Sequence, residues 1–233
     1  MKEIYFIRHG ETSWNKKGLS QGSRNDIKLN KNGIIQAKKT GKYLNKYRQR
    51  DTKFDLIISS PMLRTKKTAE IIAKQIGYDN YIIYYDELKE RDQGLVSIGK
   101  TNEELKKDSF YDDYFDILNQ HKQIKDPVEK ILFDTKNKDI IDKTLKKYEM
   151  ESFDDIIVRV KKVLDISKNN NHKKIIVVTH GGFINAINKY LLNTFASIND
   201  DLTNGSNCHI TTYVYDHDIY KLVMPPNTLH LAL

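Results

Sequence analysis

Two histidines and two arginines each follow an apolar run of the sequence within a few positions. They are Arg8, His9, Arg64 and His180. An arginine guanidinium binds a phosphoryl group through forked, charge-assisted hydrogen bonds. A neutral imidazole can attack phosphorus when its other ring nitrogen is held by a hydrogen bond, and a second histidine can stabilise charge on the transferring oxygens. Brought to one place, these residue types predict phosphoryl transfer.

The apolar runs before these residues have the length and composition of buried strands. They cover residues 4–7, 56–58, 81–85 and 175–178. Continuous apolar runs of this length are typical of strands buried on both faces of a parallel sheet. Ligands of open α/β sheets bind outside the carboxyl ends of the strands. We therefore expect the polar residues after the first, second and fourth runs to meet at one edge of the sheet.

Helices with one apolar face are predicted between these strands. Their boundaries are predicted from capping side chains, from proline at a first helical position and from glycine after a last one. The boundary residues are Asn30 or Asn32, Ser60 followed by Pro61, Gly77, Ser152 with Asp155, and Gly181. The helix that begins after Gly181 would add positive potential to the anion site. Residues 208–224 should form two edge strands around a turn near His217 and Asp218.

The alternation of strands and helices predicts an α/β fold, a three-layer αβα sandwich with a mostly parallel central sheet. Residues 86–150 differ from the rest, because they are rich in Lys, Asp and Tyr and have weak helical periodicity. We expect short helices and loops there, with a helical insertion at about residues 100–150. No internal repeat or linker is evident, so residues 1–233 are expected to form a single domain.

Charge and composition limit the classes of partner. The net charge of +8 favours anionic partners, but no dense basic block with interleaved aromatic residues appears, so no nucleic acid is expected as a partner. No apolar run is long enough for a membrane span, and no signal peptide precedes the first strand, so no membrane partner is expected. The single cysteine, Cys208, suits a reducing compartment, which predicts a cytoplasmic protein. The oligomeric state is not defined by the sequence.

The polar clusters are parts of longer motifs, at residues 8–15, 60–65, 90–91, 151–153 and 178–182. In this order and spacing they resemble the motifs of the histidine phosphatase superfamily, which includes the cofactor-dependent phosphoglycerate mutases. The likeness covers residues 3–100 and 150–216. It implies a phosphoglycerate mutase-like fold.

The resemblance also implies a role for each matched residue. His9 would be the nucleophile that becomes phosphohistidine, and Glu90 would protonate the leaving oxygen and later act as the base for water. Arg8, Arg64 and His180 would form the anion pocket. The residues implied to contact phosphate or to lie at the rim are Asn15, Gln21, Gly22 and Gly181. No metal or other cofactor is implied, because the pocket is already cationic and no cluster with metal-ligand spacing appears.

Three functions fit this resemblance. A phosphatase passes the phosphoryl group from His9 to water, whereas a cofactor-dependent phosphoglycerate mutase returns it to a bound acid. Such mutases carry adjacent arginines that bind the substrate carboxylate, but residues 101–150 contain no arginine, and lysine lacks the bidentate fork. We therefore favour a phosphatase of a phosphorylated small molecule or a phosphoprotein. A catalytically inactive module that binds a phosphorylated ligand is the third alternative.

Two departures from the family pattern lie near the substrate side. Gln93 stands before Gly94 where the family often has an aromatic residue, and Met150 stands where the family has glycine before its Glu-Ser motif. We expect them to affect specificity more than chemistry. His230, in an Asn-x-x-His-Leu ending shared by some relatives, is expected to be structural rather than to contact substrate.

Overall fold

A six-stranded sheet forms the centre of the molecule in a computed structural model that describes residues 1–48, 53–107, 112–192 and 205–232. The strands are β1 (Lys2–Arg8), β2 (Leu56–Ser59), β3 (Ile83–Tyr84), β4 (Lys174–Thr179), β5 (Ile210–Asp216) and β6 (Ile219–Asn227), in the spatial order β3-β2-β4-β1-β5-β6. The strands from β3 to β1 in this order pair in parallel, while β5 and β6 are added as antiparallel strands. This confirms the predicted α/β fold with a mostly parallel sheet.

Helices cover both faces of the sheet. On one face, α2 (Lys31–Arg48) and α3 (Leu63–Ile76) bury apolar side chains against residues of β1, β2 and β4. On the other face, α8 (Phe153–Lys168) and α9 (Gly181–Leu191) form a second apolar cluster with the sheet. Burial of these apolar faces is the main stabilising contribution of each layer. The result is the three-layer αβα arrangement.

The register of β1 and β4 determines where the site can form. Strand β4 lies between β2 and β1, and it is buried along its whole length. Arg8 is paired with Thr179 at the end of this parallel ladder. The residues that follow the two strands, His9 and His180, therefore leave the same edge of the sheet side by side.

Most predicted helix boundaries are confirmed. The Asn30 side chain accepts a hydrogen bond from the Gly33 N–H at 2.8 Å, Ser152 forms the capping box with Asp155, and Gly77 ends α3 with φ of +61°. The predicted start of α3 is wrong, because the helix begins at Leu63 with Met62 as its N-cap residue. The hydroxyl of Ser60 instead lies 3.0 Å from a nitrogen of His180.

Two predictions about the sheet need correction. The third strand is limited to Ile83–Tyr84, because only these residues pair with the short β2 and Tyr81 is 93% exposed. Strand β5 is not an edge strand, since it pairs with β1 on one side and β6 on the other. The hairpin turn itself is as predicted, with positive φ at His217 and Asp218.

The insertion contains a longer helix than predicted. Helix α7 (Pro127–Lys147) has 21 residues, begins with Pro127 after the capping side chain of Asp126, and packs against α6 (Asp112–Gln123). Its buried residues form a small cluster apart from the main core, so its apolar stripe is narrow. The described chain also contains short helices and one 3₁₀ turn. They are α1 (Ser13–Lys16), α4 (Gly94–Ser97), α5 (Asn102–Lys106), α10 (Leu229–Ala232) and the 3₁₀ turn at Asp86–Leu88. In the described part of the chain, we find no helix with the length and apolar character needed to cross a membrane.

Candidate active site

The two histidines predicted to do chemistry lie together at the carboxyl edge of the sheet. His9 follows β1 and His180 follows β4, and their ring centroids are 5.3 Å apart. The main chain of His9 is fixed by a hydrogen bond from its N–H to the Thr179 carbonyl, at 2.9 Å. The parallel ladder therefore brings together two histidines that are more than half the chain apart in sequence.

His9 has the protonation and orientation that a nucleophile requires. Its side chain is 2% exposed, and Nδ1 lies 2.8 Å from the Gly10 carbonyl oxygen. Because a carbonyl oxygen only accepts, Nδ1 carries the proton of the neutral ring and Nε2 keeps its lone pair. Burial, followed by the positive charges of Arg64 and Arg8, holds the pKa of His9 well below its ordinary value. The ring is therefore neutral near pH 7.

Arg64 is the most deeply buried charge of the site. Its Nη1 donates to the Arg24 carbonyl at 2.6 Å and its Nη2 to the Gly22 carbonyl at 3.0 Å, which fixes the plane of the guanidinium. Its Nε has no hydrogen-bond partner among the described residues. Burial lowers the pKa of Arg64 to about 10, partly offset by Glu90, so the group stays protonated at neutral pH. A buried, oriented guanidinium with an available donor suits an oxyanion.

Arg8 lies beside the first residue of α9. A Cβ added to Gly181 would come within 3.1 Å of Arg8 Nε, so the absence of a side chain at position 181 makes room for this arginine. The guanidinium also donates from Nη1 to the Gly205 carbonyl. In this structure Gly181 provides space for Arg8, while its expected backbone contact to phosphate stays a prediction.

His180 is fully buried and lies against a hydroxyl. Its Nε2 is 3.0 Å from Ser60 Oγ, while Nδ1 has no hydrogen-bond partner among the described residues. Burial, with Arg64 next and then His9, lowers the pKa of His180 well below its ordinary value. A neutral second imidazole can donate a hydrogen bond to a transferring oxygen.

Glu90 reaches the site from outside the sheet, on the segment after the 3₁₀ turn. Its carboxylate accepts from the Arg91 N–H at 2.9 Å and from the Gly182 N–H at 3.3 Å. A Cβ added to Gly182 would lie 2.6 Å from Glu90 Oε1, so a larger residue at position 182 would displace the carboxylate from this position. The charge of Glu90 also raises the pKa of Arg64, which places the two groups in one electrostatic environment.

Residues 4–228 match the sequence model of the histidine phosphatase superfamily (branch 1). The chain belongs to the histidine phosphatase superfamily.

Several members of this superfamily are similar to the chain. It is 42% identical over 94 residues to the uncharacterized phosphatase PhoE of Bacillus subtilis, and 41% identical over 96 residues to the probable phosphoglycerate mutase GpmB of Salmonella choleraesuis. These matches cover 40% and 41% of this chain, and less than half of the relatives, 45% of PhoE and 41% of GpmB.

Solved structures match over nearly the whole length. A phosphoserine phosphatase mutant from Entamoeba histolytica, in complex with phosphoserine, is 27% identical with a TM-score of 0.70, covering 99% of this chain and 100% of that one. A phosphoglycerate mutase from Bacillus anthracis is 22% identical with a TM-score of 0.73, covering 99% of this chain and 95% of that one. The latter likeness establishes that the fold of this chain is phosphoglycerate mutase-like.

The remaining predicted residues, Asn15, Gln21 and Gly22, form hydrogen bonds with neighbouring residues. The Asn15 Oδ1 accepts hydrogen bonds from Thr12, at 3.1 Å from its N–H and 3.0 Å from its hydroxyl, which fixes the orientation of the amide. Gln21 is buried and its Oε1 lies 3.2 Å from the Thr12 hydroxyl oxygen. Gly22 is also buried, and its carbonyl binds Arg64. In this structure Gln21 and Gly22 thus support neighbouring site residues.

Sequence reasoning missed several supporting residues of the site. Thr68 Oγ1 accepts from the Gly10 N–H at 3.0 Å, and Ser60 contacts His180 as described above. The Asn207 Nδ2 donates to the His9 carbonyl at 3.1 Å and to Asn15 Oδ1 at 3.2 Å. Of these three residues only Ser60 falls within the motifs given above, and a motif does not show which side chain faces which partner.

Two other observations concern groups outside the catalytic set. His230 is buried against α2, with Nε2 3.0 Å from Thr40 Oγ1, in agreement with a structural role. The described residues contain no group of three or more His, Cys, Asp or Glu side chains arranged to hold a metal ion.

Proposed function

We propose that this protein is a metal-independent phosphomonoester hydrolase that forms a phosphohistidine at His9. The observation that carries the proposal is the arrangement of His9 itself. Its imidazole is buried and neutral, its Nδ1 is tied to the Gly10 carbonyl, and two arginines and His180 surround it. A neutral imidazole next to cationic groups is suited to attack a phosphoryl group that carries negative charge.

In the first step, His9 Nε2 attacks phosphorus and the bond between phosphorus and the leaving oxygen breaks. The electron pair goes to the leaving oxygen, which takes a proton from the carboxylic acid of Glu90. Arg8, Arg64 and His180 stabilise the negative charge on the three other oxygens. In this proposal the arginines supply the charge stabilisation that a metal ion supplies in other phosphatases.

In the second step, water attacks the phosphorus of phosphohistidine. The Glu90 carboxylate accepts the proton from water, the bond between phosphorus and Nε2 breaks, and inorganic phosphate leaves. The same carboxyl group therefore serves as acid and then as base, and His9 returns to its neutral form.

A phosphorylated small molecule is the substrate class that we favour. The structural relative that binds phosphoserine, at 27% identity over nearly the full chain, supports this choice over a phosphoprotein. We further propose a cytoplasmic location, because the single cysteine is buried and unpaired with another cysteine, as is typical of proteins in reducing compartments.

The direct test is hydrolysis of p-nitrophenyl phosphate in the presence of EDTA, with trapping of phosphorylated protein. We expect turnover and a phosphohistidine on His9, and we expect His9→Ala to abolish both, a loss of at least about 10⁴-fold. His217→Ala is a matched control, because His217 is 92% exposed on the β5–β6 turn. Activity that survives His9→Ala, or is lost in EDTA, would refute the proposal. An inactive wild-type protein that still binds phosphate would favour a binding module.

A phosphoglycerate mutase is the second candidate, because the GpmB relative carries that name. Incubation with 3-phosphoglycerate and a trace of 2,3-bisphosphoglycerate separates the two activities. We expect release of inorganic phosphate rather than isomerisation, since residues 101–150 provide no arginine for the substrate carboxylate. Isomerisation faster than hydrolysis would make the mutase the better description.

A further inference from the structure

Glu90 lies on a segment that is held mainly by side chains from elsewhere in the chain. Residues 86–93 follow the two-residue strand β3 and are not part of the sheet. From α8, Arg159 donates through Nη1 to the carbonyl of Glu87 at 2.7 Å and to the carbonyl of Lys89 at 2.8 Å. One guanidinium nitrogen thus fixes two carbonyls just before Glu90.

Arg159 is itself held by a bidentate ion pair with Glu151. Its Nε donates to Oε1 at 2.6 Å and its Nη2 to Oε2 at 2.6 Å, and the side chains are 19% and 14% exposed. Two parallel charge-assisted hydrogen bonds define the plane of the guanidinium, which a lysine could not reproduce.

Glu151 also contacts the chain on the other side of Glu90. Its carboxylate accepts from the Asp92 N–H at 3.2 Å, its own N–H donates to the Asp92 carbonyl at 2.9 Å, and its carbonyl accepts from Arg91 Nε at 3.1 Å. We call Glu151 and Arg159 the acid clamp. Its hydrogen bonds reach residues on both sides of Glu90.

The acid clamp also touches the helix that binds the carboxylate. The Arg159 guanidinium lies 4.8 Å from the centroid of the Phe183 ring. Phe183 follows Gly182, whose N–H donates to Glu90. Arg159 therefore contacts both the segment that carries Glu90 and the helix that receives its carboxylate.

We propose that Glu151 and Arg159 are positioning residues that hold Glu90 where it protonates the leaving oxygen. This inference rests on the proposed function, because it assumes that Glu90 is the proton donor. Glu151 lies in one of the motifs named above without a role of its own, and Arg159 lies outside them. The inference gives a function to both residues. The clamp acts through the main chain on both sides of Glu90, and neither of its side chains is required to touch substrate.

A proton donor matters most when the leaving group is a poor one. The alkoxide of phosphoserine needs protonation as it leaves, whereas p-nitrophenolate is stable enough to leave without it. Displacement of Glu90 should therefore slow hydrolysis of phosphoserine far more than hydrolysis of p-nitrophenyl phosphate. A general loss of folded structure would slow both equally, so the ratio of the two rates separates positioning from stability.

The experiment compares kcat/KM on both substrates for Arg159→Ala, Arg159→Lys and Glu151→Gln. We expect a loss of about 10- to 100-fold on phosphoserine and of less than about threefold on p-nitrophenyl phosphate. Glu90→Gln should show the same selectivity, and Arg159→Lys in the Glu90→Gln background should add little. Lys138→Ala is the matched control, because it removes an exposed ion pair to Asp154 at the start of α8. We expect it to leave both rates unchanged.

Different outcomes identify which proposal fails. An equal loss on both substrates, or a full further loss in the Glu90→Gln background, would overturn the positioning role while leaving the phosphatase intact. A wild-type protein inactive on both substrates would overturn the proposed function and this inference together. Removal of one member of a partly buried ion pair leaves the other charge uncompensated. If Arg159→Ala therefore does not fold, Arg159→Lys, which keeps the charge, gives the deciding ratio.

Discussion

His9 and Glu90, which we assign to opposite ends of the breaking bond, are held in different ways. His9 is 2% exposed, and its main chain is bonded to Thr179 of the neighbouring strand and to the N–H of Cys208. Glu90 is partly exposed and lies outside the sheet, and its segment depends on side chains such as Arg159. The nucleophile side is thus built by the sheet, and the acid side by long side chains.

This difference has a physical consequence for robustness. Many backbone hydrogen bonds and a close-packed core must move together before His9 shifts. The acid side relies on a few charge-assisted hydrogen bonds, so a single substitution can displace Glu90 without disturbing the sheet. We therefore expect the two sides to respond to mutation in distinguishable ways, by loss of nucleophilic attack or by loss of leaving-group protonation.

Two adjacent glycines give the largest expected contrast. In Gly182→Ala the new Cβ would lie 2.6 Å from Glu90 Oε1, whereas in Gly181→Ala it would lie 3.1 Å from Arg8 Nε. We expect Gly182→Ala to lower kcat/KM on phosphoserine by about 10- to 100-fold, with little effect on p-nitrophenyl phosphate. Gly181→Ala should lower both rates about equally, because the anion pocket serves every substrate.

Each variant is the control for the other, since both add one methyl group at the start of α9. Steady-state kinetics on the two substrates, with thermal denaturation to confirm folding, provides the measurement. If both variants show the same ratio of losses, then the two sides of the site are not separable and the comparison fails.

The same contrast explains what could be predicted from the sequence. The meeting of His9 with His180 follows from two apolar runs that each end in a histidine, because parallel strands place such residues at one edge. The contact from Arg159 to Glu87 and Lys89 spans about 70 positions, joins a side chain to carbonyl groups, and leaves no local pattern. The sequence therefore predicts the acid side of the site only through its resemblance to the histidine phosphatase superfamily.

Ser60 shows a related limit of local reasoning. Ser-Pro before an apolar stripe is typical of a helix N-cap, and this pattern predicts that α3 begins at Pro61. The helix begins at Leu63 instead, and the hydroxyl lies beside His180. The length of helix α7 does not follow from the sequence for a different reason. Most of the surface of this helix is polar, and only a narrow apolar stripe packs against α6. Tertiary contacts decided both cases.

A smaller effect is expected from Asn207, which supports the nucleophile side through its side chain. Loss of its hydrogen bonds to the His9 carbonyl and to Asn15 should loosen the nucleophile without removing it. We expect Asn207→Ala to lower kcat by about tenfold on both substrates, with unchanged inhibition by inorganic phosphate. Asn170→Ala is the matched control, because Asn170 follows α8 and its Nδ2 donates to the carbonyl of Ile166 in that helix.

If Asn207→Ala slowed hydrolysis of phosphoserine but not of p-nitrophenyl phosphate, Asn207 would belong to the acid side. That result would contradict the separation of the nucleophile side from the acid side. Single-turnover trapping of phosphohistidine at fixed enzyme concentration measures the first step alone. It therefore shows whether the loss lies in attack by His9 rather than in release of phosphate.

The smallest expected effect is the response of the first step to mild acid. His9 attacks only when its imidazole is neutral, and a histidine is neutral at pH values above its pKa. Burial and the arginines lower the pKa of His9 well below its ordinary value, so the ring stays neutral as the pH falls through that value. We expect the single-turnover rate of His9 phosphorylation by p-nitrophenyl phosphate, whose leaving group needs no proton from Glu90, to change by less than about twofold between pH 7.5 and 5.5. An ordinary histidine would be only about one-tenth neutral at pH 5.5 and would lose about 90% of the rate. Such a loss in the wild-type protein, with thermal denaturation showing a folded chain, would mean that His9 is open to solvent. The contrast between a buried nucleophile and a partly exposed acid would then be wrong.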